Sequence, residues 1–148
     1  FVLSSLSQTP QSDTTSTPEV LTGMPYALRG TPVAIASTIY HPDEDCNWLG
    51  IGGQAFDLQG APIVGIVVQV GGTLAGNTIN IPRLTGTAIQ YGPAGYEIKL
   101  ADRLIPSTDT LWIQLLDQAG LPLTVKVYFD TQNDCQKNLV LVNFRQVR

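Results

Sequence analysis

Charge is scarce in this sequence: Asp, Glu, Lys and Arg make up 14% of its 148 residues, against about a quarter in an ordinary soluble domain. The eight cationic side chains are scattered with no basic stripe, and the net charge is −4. Nucleic acid is excluded as a partner by that distribution, and an anionic membrane surface fits no better. Long apolar runs are also missing; none approaches the ~18 residues that a membrane span requires. No segment keeps an i, i+3, i+4, i+7 apolar stripe for three turns, so helices are not expected. Catalytic signatures are lacking as well. The single His41 sits in the acidic loop Tyr40-His41-Pro42-Asp43-Glu44-Asp45, where a solvated side chain is expected, and no G-x-S-x-G elbow occurs. The Gly50-x-Gly52-Gly53 run has no Lys and no following helix, which removes a phosphate loop. The chain therefore reads as a non-enzyme.

What is present is a succession of short apolar runs closed by Gly, Pro, Asn or Asp. Val64, Ile66, Val68 and Val70 recur at period two and stop at Gly71-Gly72. Leu111, Ile113 and Leu115 form one face of another run, which ends at Asp117-Gln118-Ala119-Gly120. Val125, Val127 and Phe129 follow, at hairpin spacing. Further strands are expected over 34–40, 48–56, 78–81, 87–91 and 96–100. The last run, Leu139 to Phe144, is apolar on both faces and is predicted to be central. The glycines of the 48–56 run imply a bulge or a close backbone approach. No repeat of fixed period emerges. Such spacing defines an all-β sandwich.

Residues 1 to about 32 differ in kind from the 33–148 domain. Nine of the positions from Ser4 to Thr17 are Ser or Thr, a composition that cannot offset its ordering entropy by apolar burial. At its tip, Phe1, Leu3 and Ser5 alternate with Val2, Ser4 and Leu6. An apolar strand on a polar leash suits donation to the sheet edge of another copy, with Phe1, Val2, Leu3 and Leu6 as the contact residues; the plain alternative is a frayed terminus. The opening Phe1, with no initiator Met, suits a processed or excised chain.

Two cysteines, Cys46 and Cys135, lie 89 residues apart without a CxxC motif or a second pair for zinc. Each flanks a predicted strand end, so a bridge is expected, which places the protein in an oxidising, extracellular compartment; two buried thiols are the alternative. Bridging would draw Asp43, Glu44 and Asp45 toward Asp130 and Asp134, a conceivable Ca²⁺ cage set against two self-capped turns. No other cofactor is implied. Trp48, Trp112, Tyr91 and Tyr96 are the aromatics available for a sugar-stacking platform, with core packing as the simpler role.

The run Gly53, Phe56-Asp57, Gly60, Pro62, Gly65 and Val68, with Gly95-Tyr96-Glu97-Ile98 further on, resembles the strand–turn–strand opening of carboxypeptidase-regulatory-like and Cna-B-type modules. The resemblance implies an Ig-like or prealbumin-like β-sandwich of structural or stalk type. Cna-B-type modules often carry a Lys–Asn isopeptide bond. Asn143 on the last strand and Glu97 could be imagined as such an Asn and its assisting acid, but the only lysines, Lys99, Lys126 and Lys137, all lie beyond the first strands, so no isopeptide bond is expected and a Cys46–Cys135 bridge would be the covalent staple instead. The expectation is a secreted or surface-displayed structural protein that assembles with copies of itself through the arm. A glycan-binding or adhesion module on a stalk is the alternative.

Overall fold

The computed structural model describes residues 23–148. Within them ten strands run in chain order: β1 (Tyr26–Leu28), β2 (Val33–Ile35), β3 (Leu49–Phe56), β4 (Val67–Leu74), β5 (Asn77–Leu84), β6 (Gly95–Ala101), β7 (Ser107–Leu116), β8 (Val127–Thr131), β9 (Leu139–Leu141) and β10 (Phe144–Gln146). They form two packed sheets, an all-β sandwich. In sheet I, β3 pairs antiparallel with β6 on one side and parallel with β9 and then β10 on the other. β2 and β1 pair antiparallel with β9 and β10 at the outer edge. Sheet II has the order β5-β4-β7-β8, antiparallel throughout.

Period-two alternation sets the core. Val68 and Val70 of β4 and Leu111, Ile113 and Leu115 of β7 face inward with no exposed surface, against Ile51, Tyr96, Ile98, Val142 and Phe144 of sheet I. Each such aliphatic side chain contributes about 1.5–3 kcal/mol by leaving water. The alternation ends before Val64, which is exposed, because β4 begins only at Val67.

Two expected strands give way to hydrogen-bonded turns. The strand expected over 34–40 stops at Ile35. There Asn138, wholly buried, accepts from Ser37 N at 2.7 Å and donates to Ser37 Oγ and Trp48 O at 2.9 Å, turning Ser37–Ile39 into a 3-10 turn. The strand expected over 87–91 is likewise a 3-10 turn at Ile89–Tyr91. Gly95 O just beyond it collects the N–H groups of Gly86, Thr87 and Ala88. Conversely, the sheet begins at Tyr26, inside the stretch read as arm: Tyr26 is buried and the Arg29 guanidinium lies 4.2 Å from the Phe56 ring centroid.

β9 and β10 are one strand broken at Val142-Asn143. Val142 N donates to Gly52 O at 2.9 Å, Val142 O accepts the Tyr96 hydroxyl at 2.6 Å, and Asn143 Oδ1 accepts from Gln54 N at 2.8 Å. The break presses Val142 O onto Gly53, where a Cβ would overlap it. Gly53→Ala is therefore expected to cost about 3 kcal/mol, the upper end of overpacking, read as a fall in the urea midpoint; an unchanged midpoint would contradict the close approach.

Two turns are copies of one device. Asp57 Oδ1 accepts from Gln59 N and Ala61 N, and Asp117 Oδ1 from Ala119 N and Leu121 N, all at 2.9 Å. Gly60 and Gly120 take φ of +82° and +87°, values that suit glycine. The first turn sends the chain to the other sheet, whereas the second closes the β7–β8 hairpin as expected.

Candidate assembly groove

β1 is the outer strand of sheet I at one end, and β8 is the outer strand of sheet II. Tyr26 N donates to Leu123 O at 3.0 Å, which brings these two edges to the same side of the sandwich. Between them lies an apolar groove of about 510 Å³, within the range of small-ligand sites. Met24, Tyr26, Ala27 and Leu28 line one wall, Thr124, Val125 and Val127 the other, with Val147 at the end. Val125 and Val147 are 48% and 37% exposed.

The backbone of β1 is only half paired. Val147 N donates to Pro25 O at 2.8 Å and Arg29 N to Asn143 O at 2.7 Å. By antiparallel alternation, Tyr26 and Leu28 then aim their N–H and C=O away from β10. Tyr26 N is taken by Leu123 O; the N–H and C=O of Leu28 have no partner among the described residues. A free donor and acceptor beside an apolar trough is a template for another strand. The sequence reading missed this half-paired edge, whose one signal was the short Tyr26-Ala27-Leu28 run next to the polar arm. The proposed donors Phe1, Val2, Leu3 and Leu6 lie outside the described residues.

At the other end of the sheet Cys46 and Cys135 are joined, their Cα atoms 5.2 Å apart. The bridge does not gather the acids. Asp130 Oδ1 accepts from Asp109 N at 3.0 Å, and Asp134 Oδ1 caps Gln136 N at 2.8 Å. Asp43, Glu44 and Asp45 stay in their own turn, where Glu44 N donates to His41 O and Glu44 O accepts from Asn47 N. Among the described residues no group of three or more His, Cys, Asp or Glu side chains is placed to hold a metal ion.

His41 is not solvated as its acidic neighbours suggested. Its Nε2 lies 2.5 Å from Glu97 Oε2, its ring stacks on Trp48 at 4.9 Å, and the Tyr91 hydroxyl donates to the same Glu97 oxygen at 2.7 Å. Tyr40 stacks on Tyr91 at 4.3 Å. The β3 glycines make room: a Cβ on Gly52 would sit 2.6 Å from Tyr91 Cζ, and one on Gly50 would strike Trp48. Here the close approach read from the glycines is present. Burial first, and then the Glu97 contact, push the Tyr91 phenol well above its ordinary range. The cluster clamps the 40–48 loop over sheet I. Trp112, the other tryptophan, lies half-buried on Gly71 of sheet II with Lys126 Nζ 4.3 Å from its ring centroid.

No helix among the described residues is long and apolar enough to cross a membrane. The chain matches no family model, no curated protein and no solved structure. The two-sheet architecture stands on the structure itself.

Proposed function

We propose that the protein is an extracellular structural subunit that polymerises head to tail, with Phe1–Leu6 of one copy completing the sandwich of the next. The groove between the β1 and β8 edges carries this reading. Strand addition there would pair the free N–H and C=O of Leu28, while alternate apolar side chains enter the trough. Each buried side chain contributes about 1.5–3 kcal/mol. The sixteen positions 7–22 between donor and domain give a chain length that can span at most roughly 55 Å, beyond the roughly 34 Å length of a ten-residue strand such as β7. An interface that uses a donor arm on one copy and a groove on the next does not close on itself, and so extends into a filament. The Cys46–Cys135 bridge suits an oxidising exterior. The resemblance to carboxypeptidase-regulatory-like and Cna-B-type modules, which act mainly as stalks, agrees with a structural role.

Deleting residues 1–8 should convert polymer to folded monomer in electron micrographs and sedimentation. Val125→Asp, on an exposed position of the groove wall, should block acceptance while leaving the donor arm intact. Fibres of unchanged length from the deleted chain would end this reading.

A further inference from the structure

We propose that the outer face of sheet II binds a neutral polysaccharide laid across its strands, independently of the donor-strand groove. The two outer faces of the sandwich differ. Tyr40, His41, Trp48 and Tyr91 cover that of sheet I, whereas Thr73, Asn80, Pro82, Lys126 and Tyr128 on sheet II are exposed. Register places these side chains in rows. Asn80 pairs with Gly71, Gly71 with Trp112 and Trp112 with Tyr128; beside this row, Pro82, Gln69 and Gln114 make the next. Three strand spacings make the longer row roughly 14 Å across, a strip suited to an extended chain rather than a pocket for one small molecule.

The polar groups on the strip are preset. Gln69 Nε2 donates to Asn80 Oδ1 and to Val70 O, and Gln114 Nε2 donates to Thr124 O at 2.9 Å. Those bonds fix each amide and leave Gln69 Oε1 and Gln114 Oε1 as acceptors, and Asn80 Nδ2 as a donor, without partners among the described residues. Acceptors and a donor interleaved at short range match hydroxyl groups, which do both. They do not match a carboxylate or an ammonium.

The aromatics supply the platform. Gly71 lets the Trp112 indole lie flat on the sheet, since any Cβ there would strike the ring. Lys126 Nζ lies over the ring, 4.3 Å from its centroid, so the indole is a fixed slab between Gly71 and an ammonium group. Tyr128, its cross-strand neighbour, is 56% exposed and offers the ring on which the apolar side of a sugar stacks. Lys126 and Asp130, each two residues from Tyr128 and exposed like it, carry opposite charges, so a polyanion gains little there and a neutral polymer loses nothing.

The test is binding of the full chain to immobilised β-glucan, xyloglucan and galactomannan, and to insoluble cellulose and chitin, in low and in high salt. At least one polymer should be retained in both salts, as expected for an uncharged contact. Tyr128→Ala, which removes an exposed ring without touching the core, should weaken retention roughly tenfold or more. Asn80→Ala should weaken it by a smaller factor, and Ile89→Ala on the opposite face should leave it unchanged. Melting temperatures of all variants confirm the fold. The proposal fails if no polymer is retained, if retention disappears in high salt, or if Tyr128→Ala and Asn80→Ala bind as the parent does. It fails equally if Tyr128→Ala abolishes self-association instead, because the face would then be a contact between copies.

Discussion

Replacing both bridge cysteines, Cys46→Ser with Cys135→Ser, is expected to lower stability by about 4–5 kcal/mol, the chain-entropy value for a loop of this length. The bond joins residues 89 apart and so constrains most of the unfolded chain, excluding from it a large set of extended conformations. Domains of this size are stable by only about 5–15 kcal/mol in all, so the loss removes roughly a quarter of the margin or more. The native contacts around the bridge should survive. Asn138 ties Ser37 and Trp48 together from beneath, His41 is held by Glu97 and Trp48, and neither set includes sulfur.

That arrangement gives the prediction a kinetic signature. If the bridge acts on the unfolded ensemble, refolding slows while the unfolding rate changes little, because the partition follows what is formed in the transition state. Urea chevrons of the parent and the double-serine chain read both limbs. A total loss under about 1 kcal/mol would refute the loop-entropy account. A loss confined to the unfolding limb would move the effect into the folded state.

The bridge was legible because Cys46 and Cys135 each stand beside a recognisable strand. The β4 and β7 strands were legible because Val68, Val70, Leu111, Ile113 and Leu115 recur at every second position, interrupted by Gln69, Gly71 and Gln114, the condition under which period two is written plainly. Other features depend on contacts that no local window contains. Ser37 leaves the strand path for Asn138, 101 residues on, and His41 escapes solvent only by meeting Glu97, 56 residues on. The groove combines β1, the 124–127 segment and Val147, so its apolar character is invisible in any one of them. β1 itself is three residues long, too short to show a period. The twin turns are instructive for the opposite reason. The D-x-x-G-x-P pattern stands openly at 57–62 and at 117–122, yet the flanking strands do not repeat. One copy crosses between sheets while the other folds a hairpin, so the turn pattern is written in the sequence but the course of the strands that leave it is not.

Alkaline pH should unfold the protein with a slope set by its buried phenols. Tyr96 is fully buried and donates to Val142 O, and burial holds its phenol well above the ordinary range. Burial and the Glu97 contact do the same for Tyr91, and burial with the nearby Asp57 charge raises Tyr26. The folded state thus keeps protons that the unfolded chain releases near pH ~10. Stability from this source is fully present below that pH and is lost as pH rises above it. Each retained proton lowers stability by about 1.4 kcal/mol per pH unit, so Tyr91 and Tyr96 together give roughly 2.7 kcal/mol per unit, and Tyr26 steepens the first part of the fall. Tyrosinate absorbance followed alongside near-ultraviolet circular dichroism tests this. Ionisation of Tyr91 and Tyr96 should appear only with the cooperative loss of tertiary signal, and Tyr96→Phe should remove one proton's worth of slope. That variant also loses a hydrogen bond worth about 0.5–1.5 kcal/mol at neutral pH, so slope and intercept move separately. All five tyrosines ionising in one smooth step near pH ~10, with the dichroism intact, would show that neither phenol is held in the folded core.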